Sequence, residues 1–227
     1  MHSLAEKQRL RKLVEVFLQE NAKVNLSAFR TEESCWIGNI LDSLSFLELL
    51  PKFSILNFQF SILDVGTGGG FPLLPLAITL PDARFTGMDS TQKKVDAVKR
   101  IADAMNLPNM ELIAGRAETL GRDPHHRERY DVVTARALAE IAVNLEYASP
   151  FVKPGGRVIL WKSMDVEEEM KKSERAQKEL ACRYMGAHVY ELPGDFGKRQ
   201  LLIFEKSGKV SGKYPRAIGV AKKKPIG

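Results

Sequence analysis

The chain has 227 residues, 44% of them hydrophobic and 27% charged, enough for one domain with a substantial core and unlike a disordered or fibrous composition. No apolar run approaches the ~18 residues of a membrane span and "MHSLAEKQRLRK" has no signal-peptide core, so a cytoplasmic protein is expected. The net charge of +6 is uneven: seven basic residues and no acids follow from Lys206 onward, leaving 27 basic against 28 acidic before it.

Leu10, Leu13, Val14 and Phe17 recur at helical spacing, and a second helical pattern runs from about Glu33 to Leu50, where Pro51 is expected to stop it. These segments predict a helical cap over residues 1–55. Short apolar runs then alternate with helical stretches: "FSILDV", a helix from Pro72, "RFTGMD", a helix with Val95, Val98, Ile101, Ala102 and Met105 on one face, "MELIA", "YDVVTA" and a helix, then "GGRVILWK" and a long charged helix. Alternation of this kind implies an α/β fold with a mostly parallel sheet between helices. "GAHVYELP" and "RQLLIFEK", joined by "GDFGK", predict an antiparallel hairpin at one sheet edge. The domain is expected over residues 56–206, and a basic tail over 207–227.

Cys35 and Cys182 form no CxxC pair, and no histidine stands at metal-ligand spacing. No metal site is expected, and two reduced core thiols are favoured over a disulfide.

The stretch "LDVGTGGGFPLLPLAI" ends a strand on Asp64 and Val65 and places four glycines among residues 66–70. In open α/β sheets ligands bind beyond the carboxyl ends of the strands. A P-loop needs a GK[ST] ending, which is missing. A dinucleotide GxGxxG fails from either start, meeting Phe71 or Leu73 where glycine is required. The remaining pattern, Asp64-x-Gly66-x-Gly68-x-Gly70, resembles the first motif of class I methyltransferases that bind S-adenosylmethionine. Asp89 ends the next strand, where an acidic side chain can take both ribose hydroxyls, and Asp64 is expected to help hold the cofactor. A tight strand-to-helix turn without ligand is the alternative. Pro72 and Pro75 fit the first turn of the following helix, where a missing N–H costs nothing.

Beyond this loop the chain resembles the bacterial RsmG (GidB) family, which methylates N7 of a guanine in small-subunit (16S) ribosomal RNA. The resemblance rests on "NLSAFR", "ILDSL", the glycine loop, "MDSTQKK", "GRAE", "VVTARALA", "LWKS" and "KYPRAIGVAKKKPIG", in that order. It implies a Rossmann-like class I methyltransferase sheet, S-adenosylmethionine as cofactor, and ribosomal RNA or the small subunit as partner, with no membrane and a monomeric chain. It further implies that Gly66 and Phe71 line the cofactor, that Ala117 and Glu118 flank its adenine, and that Arg136 reaches the cofactor or the target base. Each has a plainer reading: core packing for Phe71, a first-turn helix residue for Glu118, an ion pair for Arg136. Asn39 stands where the family commonly has histidine, Leu73 and Ser163 where it has glycine.

Guanine N7 carries a lone pair and no proton, so no general base is required and no catalytic base is assigned. Arg136, Lys162, Tyr214 and Arg216 are the candidates for RNA contact. Two other readings stay open: a small-molecule or protein methyltransferase, and an RNA-binding or ribosome-associated protein that keeps the loop only as structure.

Overall fold

Ser3 starts the first helix, α1 (Leu4–Val24), by a reciprocal cap: its hydroxyl accepts from the Glu6 N–H while the Glu6 carboxylate accepts from its own N–H. Residues 3–52 and 60–227 are described by this computed structural model; the expected boundary at 55/56 between cap and sheet domain lies outside the described residues. The predicted face of α1, Leu10, Leu13, Val14 and Phe17, is buried. Asn21 folds the following loop back, its carboxamide bonding the Leu26 and Ser27 amides and the Ser27 and Phe29 carbonyls.

The second helical pattern is not one helix. It divides into α2 (Glu32–Cys35), a widened π-helical turn (Trp36–Leu41), α3 (Asp42–Leu44) and a 3-10 segment (Ser45–Lys52) that contains Pro51 rather than ending before it. Two causes are local. The Ser43 and Ser45 hydroxyls bond back to the Asn39 and Asp42 carbonyls, competing with the helical ladder. At Gly38 the turn passes so close to the Phe29 ring that a Cβ would stand 2.3 Å from it.

The sheet domain follows the predicted order. β1 (Ser61–Val65) leads to α4 (Leu73–Thr79), β2 (Arg84–Asp89) to α5 (Gln92–Ala104), and β3 (Met110–Ala114) to the short α6 (Ala117–Leu120). Then come β4 (Tyr130–Arg136), α7 (Ile141–Ala148), β5 (Val152–Lys162), α8 (Glu167–Lys172), α9 (Glu174–Glu179), β6 (Cys182–Leu192) and β7 (Gly197–Lys206). The seven strands lie in the order β3-β2-β1-β4-β5-β7-β6, parallel except for β7, which runs antiparallel to both β5 and β6. The long charged helix expected after β5 breaks at Ser173, whose hydroxyl turns back onto the Met170 carbonyl.

Alternation along β1 sorts the two cores. Ile62 packs with α1, α4 and α5; Leu63 and Val65 pack with α7 and α9 on the other face. Cys35 and Cys182 are buried free thiols, one in each core. The strand order reverses between β1 and β4, which puts the crevice beside the glycine loop. Among the described residues no helix is long and apolar enough to cross a membrane.

Residues 207–227 lie against the α7 core instead of standing free. Val210, Tyr214, Ala221 and Ile226 are buried there, the third within α10 (Val220–Lys223). Arg127 donates to the carbonyls of Val210, Ser211 and Tyr214, and Arg122 to those of Gly212, Lys213 and Pro215. Arg216 forms a fork with the Glu146 carboxylate, at 2.6 Å for the shortest contact, while its own N–H adds a third bond. Glu146 is 1% exposed, so removing Arg216 leaves a buried charge without its partner. Arg216→Ala is expected to cost about 3 kcal/mol, read as a lower urea midpoint; an unchanged midpoint would mean that the segment does not hold to the domain in solution.

Candidate active site

At the end of β1 the chain must turn sharply while leaving a crevice open. The Gly66 and Thr67 amides both donate to the Met88 carbonyl, at 2.9 and 2.8 Å, which fastens the loop to β2. Gly68 has φ +53°, and a Cβ built on it would meet nothing closer than 3.8 Å. A side chain there would enter the open crevice, and glycine alone keeps it clear at no conformational cost. Gly66 is required for a different reason: at φ +74° its missing Cβ would stand 2.7 Å from Leu138.

Asp89 organises the loop. One carboxylate oxygen accepts from the Gly68 amide at 3.0 Å and the other from the Thr91 amide at 2.8 Å. Each oxygen keeps a further lone pair for a ligand. Asp64, expected beside the ligand, lies behind the loop at 1% exposure and accepts a 2.7 Å bond from the Thr134 hydroxyl. It lines neither part of the crevice. Burial pushes its carboxyl up to about 7, against the hydrogen bond from Thr134.

The crevice has two parts. A slot of about 130 Å³ runs between Met88, Ala117, Leu138 and Tyr147, with Asp89 and Glu118 at its polar edge. Gly219 and Lys222 close its far side, and the Gly219 amide donates to Glu118 at 3.0 Å. Glu118 is also the first-turn acid of α6, so its plainer reading is compatible with its place at the slot. Burial and the neighbouring Glu118 push the Tyr147 hydroxyl up to about 12. The slot opens into a cavity of about 420 Å³ lined by the loop glycines, Phe71, Asn39, Lys94 and Arg136. Both parts share Gly66, Asp89, Ser90 and Leu138. All seven residues expected at the cofactor, Gly66, Gly68, Phe71, Asp89, Ala117, Glu118 and Arg136, thus line one continuous crevice. Phe71 also packs edge-on against Phe17, 4.8 Å between centroids, so it serves the core as well.

Arg136 ends β4 at the mouth of this cavity. Its guanidinium donates to Asp42 at 2.8 Å, to the Asn39 side-chain oxygen at 2.7 Å and to the Gly38 carbonyl at 3.2 Å, and lies 5.7 Å from the Phe71 ring centre. Three of its five donors are used, leaving two. The residue at the family's histidine position, Asn39, therefore orients Arg136. Leu73 is fully buried in α4, and Ser163 lines a second cavity beyond Arg136.

The other RNA candidates have internal partners. Lys162 donates to the Ala139 carbonyl at 3.0 Å and to Glu169 at 2.5 Å. The Tyr214 hydroxyl donates to Glu179 and its ring is 3% exposed, so no free stacking face remains. Arg216 is held by Glu146 as described. Lys209, Lys213 and Lys222 to Lys224 are the exposed cations of this segment, Lys213 being paired with Glu179. Sequence reasoning passed over Asp42, Lys94 and Leu138, although they stand in "ILDSL", "MDSTQKK" and "VVTARALA", and it had no signal for Arg199, which the tertiary fold brings to the second cavity.

The family model described as GidB, rRNA small subunit methyltransferase G, matches residues 6–193. The chain belongs to the GidB family. Relatives named ribosomal RNA small subunit methyltransferase G agree: one from Deinococcus deserti is 40% identical over 93% of this chain and 85% of its own length, and one from Carboxydothermus hydrogenoformans is 37% identical over 93% and 88%. Among solved structures, a SAM dependent methyltransferase from Aquifex aeolicus superposes with a TM-score of 0.52 at 18% identity, over 72% of this chain and 90% of that one. The cyclase SpnF superposes at 0.54 with 16% identity, over 75% and 81%. The fold is thus shared with a protein named for a different reaction, and the chemistry of this GidB member has to be argued from its crevice.

Asp64 gives a pH test of the site's interior. With a carboxyl near 7 when folded against 3.8 ordinarily, the unfolded chain loses this proton first, and stability falls as pH rises from about 4 to about 7. The loss is on the order of 4 kcal/mol and levels off above that range. In Asp64→Asn this component should vanish, seen as a flatter profile of urea midpoint against pH; parallel profiles would show that Asp64 is ionised throughout.

Proposed function

We propose that this chain binds S-adenosylmethionine in the crevice and transfers its methyl group to N7 of a guanine in 16S ribosomal RNA. The observation that carries the reading is the continuous crevice in which a side-chain-free loop faces Asp89 and opens at Arg136.

The residues suit this cofactor. The space in front of Gly68 would be filled by any side chain. Met88, Ala117 and Leu138 offer flat apolar walls for an adenine, and the spare lone pairs of Asp89 suit two ribose hydroxyls. The Gly66, Thr67 and Gly68 amides are bonded within the fold, so Lys94 is the group on this side that suits the carboxylate of the amino-acid end. When bound, the cofactor supplies a methyl group already activated on a sulfonium.

The protein's part is then alignment. As the N7–C bond forms the C–S bond breaks, the positive charge passes from sulfur to base, and no proton moves. Holding the two reactants in line can supply roughly 7 to 11 kcal/mol. Arg136, fixed by Asp42 and Asn39, keeps two donors for the acceptor edge of the base. The GidB match and the relatives named for small-subunit RNA support that substrate.

The test is incubation with tritiated cofactor and total ribosomal RNA, followed by mapping of the labelled nucleotide; label at one guanine N7 is expected, and label in no RNA would overturn the reading. Gly68→Val should lower S-adenosylmethionine affinity by more than about tenfold in calorimetry, because its side chain occupies the cradle; retained affinity would remove the loop from the site. Arg136→Ala should reduce kcat/KM on RNA by roughly 100-fold with cofactor affinity kept, and full turnover would remove Arg136 from the reaction.

A further inference from the structure

The narrow slot of the crevice carries its charges in two layers. Its acids lie inward and are engaged: Glu118, 6% exposed, accepts from the Gly219 amide, and both oxygens of Asp89 accept from amides of the chain. Its cations, Arg116 and Lys222, are exposed, and neither side chain has an ion pair or a hydrogen bond among the described residues. Lys223 and Lys224, next to them on and after α10, are exposed and unpaired in the same way. We propose that Arg116 and Lys222 to Lys224 form a surface for the phosphate backbone of the substrate RNA at the adenosine end of the crevice. The proposal rests on the methyltransfer reading and adds which face of the protein holds the RNA backbone.

The cofactor does not account for these cations. The adenine and ribose that suit the slot are uncharged, and the one carboxylate of the cofactor belongs with Lys94 in the loop cavity. Positive charge at the rim of an uncharged site therefore faces a second, anionic ligand. The slot is continuous with the cavity that ends at Arg136, so an RNA strand that offers a base at Arg136 can run on along the same face to these cations. Contacts of this kind fix the register of a protein on a nucleic acid without reading its sequence.

The lysines are also held in place. Ala221 and Ile226 on either side of them are buried against the α7 core, Arg216 is clamped by Glu146, and the Gly219 amide ties the start of α10 to Glu118. At helical steps of about 100°, Lys222, Lys223 and Lys224 fan outward from the buried Ala221. Their backbone is ordered before RNA arrives, which lowers the entropic cost of binding. Other cations of the segment differ: Arg216 and Lys213 would have to give up Glu146 and Glu179 to meet a phosphate. No acid follows Lys206 in the chain to repel one.

Salt counts phosphate contacts, each adding about 0.7 to 0.9 to the slope of log affinity against log salt concentration. The test is filter binding of 16S RNA to the full chain saturated with S-adenosylhomocysteine, over a series of potassium chloride concentrations. A variant combining Arg116→Gln, Lys222→Gln, Lys223→Gln and Lys224→Gln should bind at least about tenfold more weakly, with a slope smaller by about 3. Lys223→Gln with Lys224→Gln should lower the slope by about 1.5 and leave S-adenosylhomocysteine affinity unchanged in calorimetry, because neither residue lines the crevice. Arg84→Gln with Arg129→Gln removes two exposed cations at the opposite, amino ends of the strands and should leave the slope as it is. A wild-type slope in the fourfold variant, or an equal fall per charge in the Arg84 and Arg129 variant, overturns the surface while leaving the cofactor reading intact. Absence of S-adenosylhomocysteine binding to the wild-type chain overturns the cofactor reading and this proposal with it.

Discussion

The Asp42 residue ties the helical cap to four strands of the sheet. Its carboxylate accepts from Arg136 at the end of β4 and from the Tyr190 hydroxyl of β6 at 2.6 Å, with Arg199 of β7 3.9 Å away; its carbonyl accepts from Trp161 of β5. Burial and the adjacent Asp42 push the Tyr190 hydroxyl well above its ordinary range. A buried charge held by several donors is costly to disturb, and here two of the residue's partners, Arg136 and Trp161, also line the cavities. The position of Arg136 between the two cavities follows from this carboxylate, as does the seating of the cap over the strand ends.

Around that anchor the site is built from backbone and packing. The loop after β1 has no side chains where the crevice must stay open, and Asp89 fixes it through amide hydrogens. The C-terminal segment closes the narrow slot from the other side through the Gly219 amide on Glu118. Its charges divide accordingly: Arg216 is spent on Glu146, whereas Lys222 reaches the slot and the neighbouring lysines face solvent. A basic segment of this kind attracts phosphate by its summed field, while its folded part serves the domain.

Where local physics decides the outcome, the sequence was legible. Short apolar runs alternating with amphipathic stretches marked all seven strands and their order along the chain, and the glycine pattern marked the crevice, because periodicity and backbone freedom are properties of neighbouring residues. The broken cap helix was not legible, since it depends on Phe29 meeting Gly38 and on hydroxyls turning back to carbonyls. Nor were the roles of Tyr214 and Arg216, whose partners Glu179 and Glu146 lie 35 and 70 residues away. Counting charges cannot tell a clamped arginine from a free one. Asp42 could be seen within "ILDSL" but not understood, because its side-chain partners Arg136 and Tyr190 lie 94 and 148 residues further on.

The central claim is that one arginine, steadied by the cap, holds the accepting base in line with the methyl donor. A crystal structure with S-adenosylhomocysteine and a short guanosine-containing oligonucleotide examines it most directly. The account requires the adenine between Met88 and Leu138, and a guanine with its acceptor edge on Arg136 and its N7 facing the sulfur. A guanine bound away from Arg136, or a nucleoside lodged outside the crevice, would contradict it.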